Sequence, residues 1–190
     1  MKFKVSTPLI LVTLALLVLC SCSKFSESIQ RDVIINPGLL AFPIPSISTT
    51  REGVKFTELL ATINVDSIIN YDAQGFNSAD LKKIKIASLT LLIPDTSDKV
   101  SDFSFIEKIS LKISSSTDTT QAAVLGSIID NPESKVKVLN FKIDTDGDLS
   151  KLLVQKNLRY TLTGKVRNIP TKTIPIAGLI FVYRATLSKD

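Results

Sequence analysis

Apolar residues recur at every second position through most of the chain from about residue 54 to the C-terminus, and this period limits the fold more than any other feature. Leu89, Leu91 and Ile93 follow it, as do Leu158 and Tyr160. A period of two is typical of β-strands that bury one face. The candidate strands with the clearest pattern cover residues 84–93, 103–113, 135–144, 158–166 and 174–187, and shorter candidates cover 33–36 and 121–129.

Within residues 135–144 the apolar positions change phase. Val136 and Val138 occupy even positions, whereas Leu139 and Phe141 occupy odd ones. An extra residue inserted into one strand has this effect, so the sequence predicts a β-bulge here.

Helical spacing is confined to short segments. Asp148 can cap a helix from Leu149 to Lys156, and Asn157 suits the left-handed residue that ends it. Residues 56–63 fit either a helix or a strand. Because no strand–helix–strand alternation follows, the sequence predicts an all-β fold, an antiparallel β-sandwich with one or two short helices.

The first 19 residues have the composition of an export signal. Lys2 and Lys4 precede the segment Leu9–Leu19, which is apolar apart from Thr13. As a helix this segment spans roughly 17 Å, about half of a ~30 Å hydrocarbon core. A permanent transmembrane helix is therefore the poorer interpretation, and a cleaved signal peptide is the better one.

Two cysteines close this leader, in the sequence Leu19-Cys20-Ser21-Cys22. It resembles the lipobox of bacterial lipoproteins, in which a small residue precedes the cysteine that receives the lipid. The resemblance covers only the first 22 residues, and it implies cleavage between Ser21 and Cys22, acylation of Cys22 and attachment to a membrane through the acyl chains. Cys20 is the poorer site because the bulky Leu19 precedes it, and Ser23 favours the outer membrane by analogy with known sorting signals. The alternative is an ordinary secretory leader, or an uncleaved anchor, with two incidental cysteines.

The remaining chain divides at about residue 50. Residues 22–50 mix Ser and Asn with Pro37, Gly38, Pro43 and Pro45, which disfavour helices and interior strands. We therefore expect a signal peptide over residues 1–21, the lipidated cysteine and a tether over 22–50, and the β-sandwich over 51–190. Residues 23–190 contain no cysteine, so no disulfide can stabilise that domain.

The absence of histidine removes many catalytic chemistries. It excludes Ser-His-Asp and Cys-His catalysis and zinc sites with histidine ligands. Acylation would block the thiol of Cys22. What remains is lysine, hydroxyl or paired-carboxylate chemistry, and we predict that the protein is not an enzyme. The carboxylates that would have to converge for glycosidase chemistry are Glu52, Glu58, Glu107 and Glu133.

Charge and glycine content argue against nucleic-acid and nucleotide ligands. The formal net charge is +5, but the 23 basic residues are interleaved with 18 acidic ones and form no run. The seven glycines form no phosphate-binding loop. We expect no nucleic-acid partner and no cofactor.

Three aspartates at alternate positions, Asp144, Asp146 and Asp148, are candidate ligands for a hard cation such as calcium. The EF-hand pattern fails, because Gly147 falls fourth instead of sixth and Gln155 stands where a glutamate is needed. A tight turn followed by a helix cap explains the same residues better, so we predict no metal site.

These observations favour a membrane-anchored envelope lipoprotein that acts as a non-enzymatic binding or structural module, with a protein or glycan partner that the sequence does not specify. The alternative is a carrier that holds a lipid or another apolar ligand. A large pocket lined by aliphatic side chains would favour the carrier. A filled core with an exposed apolar patch would favour the module.

Overall fold

The computed structural model describes residues 29–94, 102–118, 120–144, 146–170 and 174–189. The predicted signal peptide, Ser21 and Cys22 lie outside the described residues. The regular elements are, in chain order, β1 (Ile29–Ile35), β2 (Leu39–Ile44), β3 (Val54–Thr62), α1 (Val65–Asp72), a 3-10 helix (Ser78–Asp80), β4 (Leu81–Leu92), β5 (Ile106–Ser115), β6 (Ala122–Ile128), β7 (Val138–Asn140), β8 (Lys142–Ile143), α2 (Ser150–Leu153), β9 (Asn157–Val166) and β10 (Ile174–Lys189).

The strands form two antiparallel sheets of five strands each. The first sheet has the order β1-β10-β4-β7, and β2 also pairs with β10. The long strand β10 pairs with β2 through its first half and with β1 through its second half. The second sheet has the order β3-β9-β5-β6-β8. The predicted all-β antiparallel sandwich with one or two short helices is confirmed.

Aromatic rings from both sheets meet in the centre of the core. Tyr160 of β9 stacks on Phe181 of β10 with ring centroids 4.8 Å apart, and Tyr183 meets Phe181 edge to face. The hydroxyl groups of Tyr160 and Tyr183 lie 3.1 Å apart and form a hydrogen bond. All three side chains are fully buried, so side chains fill this part of the interior.

Residues 29–44 belong to the sandwich instead of forming the tether or loosely packed lead-in that was expected before residue 50, and β1 contains most of the short strand predicted at 33–36. Val33 and Ile35 of β1 are buried, as are Phe42 and Ile44 of β2. The proline in β2, Pro43, is tolerated because this strand pairs only with β10 and lies at the edge of the sheet.

The phase change in residues 135–144 marks a crossing between the sheets and not the predicted bulge. Strand β7 pairs with β4 in the first sheet, whereas β8 pairs with β6 in the second. Phe141 lies between them, is buried, and donates its N–H to the carbonyl of Leu89 at 3.0 Å. A bulge would keep both halves in one sheet.

The helices differ from the prediction in place and in length. Residues 56–63, which were ambiguous, belong mainly to strand β3, and α1 follows it. The side chain of Asn64 accepts a hydrogen bond from the Ser67 N–H at 3.1 Å and caps α1. Helix α2 covers Ser150–Leu153 instead of Leu149–Lys156. The left-handed residue is Lys156, with φ 64°, and Asn157 begins β9.

Candidate functional site

Three of the four carboxylates considered for catalysis each bind a different cation. The pairs are Glu52 with Lys108 at 3.2 Å, Glu58 with Arg159 at 2.6 Å and Glu107 with Lys165 at 2.9 Å, and the fourth carboxylate, Glu133, is exposed. The hydrogen bond from Lys165 is the main reason that the pKa of Glu107 is lowered. A general acid needs a raised pKa, so this carboxylate is tuned in the opposite direction.

The largest pKa shifts among the described residues belong to two core tyrosines. Burial raises the pKa of Tyr160, and its hydrogen bond to Tyr183 only partly offsets that effect. Burial is also the main cause of the raised pKa of Tyr183. Both phenols are therefore neutral at physiological pH and lie where solvent-borne ligands do not reach.

The three candidate aspartates have different environments. One oxygen of Asp148 accepts the backbone N–H groups of Ile84 at 2.9 Å and Ser150 at 3.0 Å, and its other oxygen accepts the Ser150 hydroxyl at 2.7 Å. Burial acts to raise the pKa of Asp148, but these hydrogen bonds outweigh it and the net pKa is lowered. Asp144 and Asp146 are exposed, and within the described residues no group of three acidic, cysteine or histidine side chains could hold a metal ion. Asp148 therefore links the start of α2 to strand β4 through hydrogen bonds to the backbone of both.

A shallow depression with a volume of about 280 Å³ lies on the outer face of the second sheet and opens to solvent. Ser110 pairs with Ser127 of β6 on one side and with Thr163 of β9 on the other, which places three hydroxyl-bearing residues in a row. The ion pair between Lys108 and Glu52 lies at the rim. Ile128 and Ile129 also line the depression. Hydroxyls, paired charges and apolar side chains at one concave place suit a partner that both forms hydrogen bonds and buries apolar surface.

The outer face of the first sheet is aliphatic around the pairing of β2 with β10 and is mostly polar elsewhere. In the aliphatic part Leu39 is 48% exposed, Val138 52% and Ile176 44%. We call the following group the apolar patch: Leu39, Pro43, Leu92, Val138, Ile176 and Ile180. Sequence reasoning did not predict this patch.

The fold and these surfaces define a class of protein, an antiparallel β-sandwich whose candidate binding surfaces are the outer faces of its sheets. No protein-family model and no curated protein matches the sequence. Among solved structures, a chain from Desmodium yellow mottle tymovirus aligns over 86% of this chain and 89% of its own, with 13% identity and a TM-score of 0.31. A likeness at that TM-score carries no argument about function. Among the described residues, no helix has the length and apolar content that a membrane span requires.

Proposed function

We propose that this protein is a lipid-anchored module of the bacterial cell envelope, held by acyl chains on Cys22, that acts by binding and not by catalysis. The lipobox resemblance of residues 19–22 supports the anchor. The absence of histidine and the separate ion pairs of three candidate carboxylates support the binding role.

The filled centre of the sandwich is the observation that carries the choice of a module over a carrier. Tyr160, Phe181 and Tyr183 occupy the place where a carrier would hold its apolar ligand. The depression over Ser110 and Thr163 is open and mixed in character, because isoleucine side chains line it beside the hydroxyls. An open surface of this kind suits a protein or glycan partner better than an enclosed lipid.

Native mass spectrometry of the protein purified from its own host tests this proposal, together with an esterase, glycosidase and peptidase screen of the same preparation. We expect the mass of the acylated chain alone and no turnover. A co-purifying lipid in stoichiometric amount would support the carrier instead. Turnover that is abolished by Glu107→Gln or Glu58→Gln, but kept by the exposed control Glu133→Gln, would show that the protein is an enzyme.

A further inference from the structure

The two outer faces of the sandwich differ in how their apolar side chains are grouped. The second sheet presents hydroxyls and ion pairs, and its exposed Leu60 and Val124 lie on β3 and β6, which are not neighbours. In the first sheet, Ala41, Gly178, Leu92 and Val138 lie side by side on four adjacent strands, and none of them is polar. A soluble protein rarely leaves a contiguous apolar area of this kind without a partner.

The apolar patch is also closely packed within itself. Leu39 lies over Gly178, because a Cβ atom at Gly178 would overlap the Leu39 side chain. In the neighbouring row the two polar side chains pair with each other, since the Thr90 hydroxyl donates to the Asn140 side-chain oxygen at 2.9 Å. This bond satisfies the Thr90 proton and one acceptor site of Asn140, but not the two N–H donors of the Asn140 amide.

Cations flank the patch on the same face. Arg184 of β10 pairs in register with Lys85 of β4, and Lys83 lies one outward position further along β4. Two carboxylates lie near these cations. Asp32 accepts a hydrogen bond from the Thr186 hydroxyl at 2.8 Å and keeps its charge. Asp148 interacts electrostatically with Lys83. The carboxylate nearest Lys85 belongs to the fully exposed Asp146 at 3.7 Å, a weak pairing. Apolar side chains beside adjacent cations match a surface that offers both hydrocarbon and negative charge.

The position of the N-terminal strand points to a bilayer as that surface. Ile29 begins β1, which belongs to the first sheet, seven residues after Cys22. Seven extended residues span at most about 25 Å. The two sheets of a sandwich lie only about 10 Å apart, so an anchor on Cys22 brings the whole domain within reach of the membrane plane. The chemistry of the two faces then decides which of them turns towards it.

We propose that the outer face of the first sheet rests on the lipid bilayer, with the apolar patch in the interfacial region and Arg184, Lys85 and Lys83 against lipid phosphates. This proposal rests on the anchor in the proposed function, because the anchor brings the domain to the bilayer. The second sheet then faces away from the membrane with its depression available to a partner.

Single-cysteine labelling tests the orientation. Residues 23–190 contain no cysteine, so Val138→Cys on the apolar patch and Leu60→Cys on the second sheet each introduce one label position, and Leu60 is 70% exposed. The mature protein, extracted from membranes and reconstituted into phosphatidylglycerol–phosphatidylethanolamine vesicles, carries an environment-sensitive fluorophore at either site. We expect a blue-shifted emission at residue 138, quenched by nitroxide lipids, and neither effect at residue 60. Equal signals at the two sites would overturn the proposal.

Charge reversal tests the role of the cations. The double change Arg184→Glu with Lys85→Glu is expected to lower the fraction of molecules with a quenched residue-138 label roughly fivefold or more on anionic vesicles, and less on phosphatidylcholine vesicles. The control Lys112→Glu, an exposed lysine of β5, is expected to leave it unchanged. An equal loss from both variants would contradict the proposal.

Two further measurements distinguish a bilayer from a second copy of the chain, and distinguish failure of the anchor from failure of the orientation. A residue-138 label that is already protected without vesicles, in protein of doubled mass, would assign the face to a second copy of the chain and overturn the membrane proposal. The mass of the N-terminal peptide from the same preparation reports acylation of Cys22. An unmodified Cys22, with a quenched label that peptide mass locates at residue 138 and not at Cys22, would refute the anchor alone. An acylated Cys22 with an unquenched label would refute the membrane-facing orientation alone.

Discussion

The hydroxyl oxygens of Tyr160 and Tyr183 lie 3.1 Å apart in the core and form a direct hydrogen bond. Either Tyr160→Phe or Tyr183→Phe leaves the other hydroxyl buried without this partner, which costs about 1–3 kcal/mol in the free energy of unfolding. The double Phe variant removes both polar groups and should recover most of that loss. Urea denaturation measures the coupling, with the exposed Tyr71→Phe as control. A double variant whose loss equals the sum of the two single losses would contradict the pairing.

The same pair predicts a loss of stability at high pH. Burial raises the pKa of both phenols in the folded state, whereas tyrosines of the unfolded chain titrate near pH 10. Above about pH 10 the unfolded chain releases protons that the folded chain retains, so the free energy of unfolding falls as the pH rises. Below that pH this contribution is fully present. The double Phe variant should show a shallower alkaline decline.

Individual core residues could largely be predicted from the sequence. Leu158, Tyr160, Leu162 and Val166 follow the period of two, and the structure buries all four completely. Their partners could not be predicted, because the contact between Tyr160 and Tyr183 depends on how two sheets are stacked. The period of one strand carries no information about that stacking.

At the scale of elements, the N-terminal strand offers a matched pair of substitutions. Ile35 is fully buried, whereas its neighbour Ile34 points outward and is half exposed. Ile35→Ala should lower the free energy of unfolding by about 2–5 kcal/mol because it leaves a cavity. Ile34→Ala should change it by less than about 0.5 kcal/mol, as surface substitutions do. Equal and small effects in chemical denaturation would mean that residues 29–35 are a tether after all.

Most strands were predictable, and the failures share a physical cause. Strands β4 and β9 lie where alternation predicted them, and β10 lies where the long apolar run predicted it. The segments that were misinterpreted, 29–44 and 135–144, contain short strands whose pairing is decided by β10, β4 and β6, far away in sequence. Helix α1 did leave a local signal, since Asn64 precedes Val65, Ile68 and Ile69 at helical spacing.

At the scale of the whole molecule, the apolar patch could not be predicted because residues 174–182 are apolar at both odd and even positions. This pattern is typical of a strand that is buried on both faces. The structure covers only the inner face with the second sheet.

The mass of the N-terminal peptide of the membrane-extracted protein tests the central claim, a lipid-anchored module, most directly. We expect the peptide to begin at Cys22 and to carry acyl chains, because Ser21 is the small residue before the cut. Cys20→Ala should leave this modification intact, whereas Cys22→Ala should leave the protein uncleaved or mislocalised. An intact leader, or an unmodified Cys22 in protein extracted from membranes, would contradict the account.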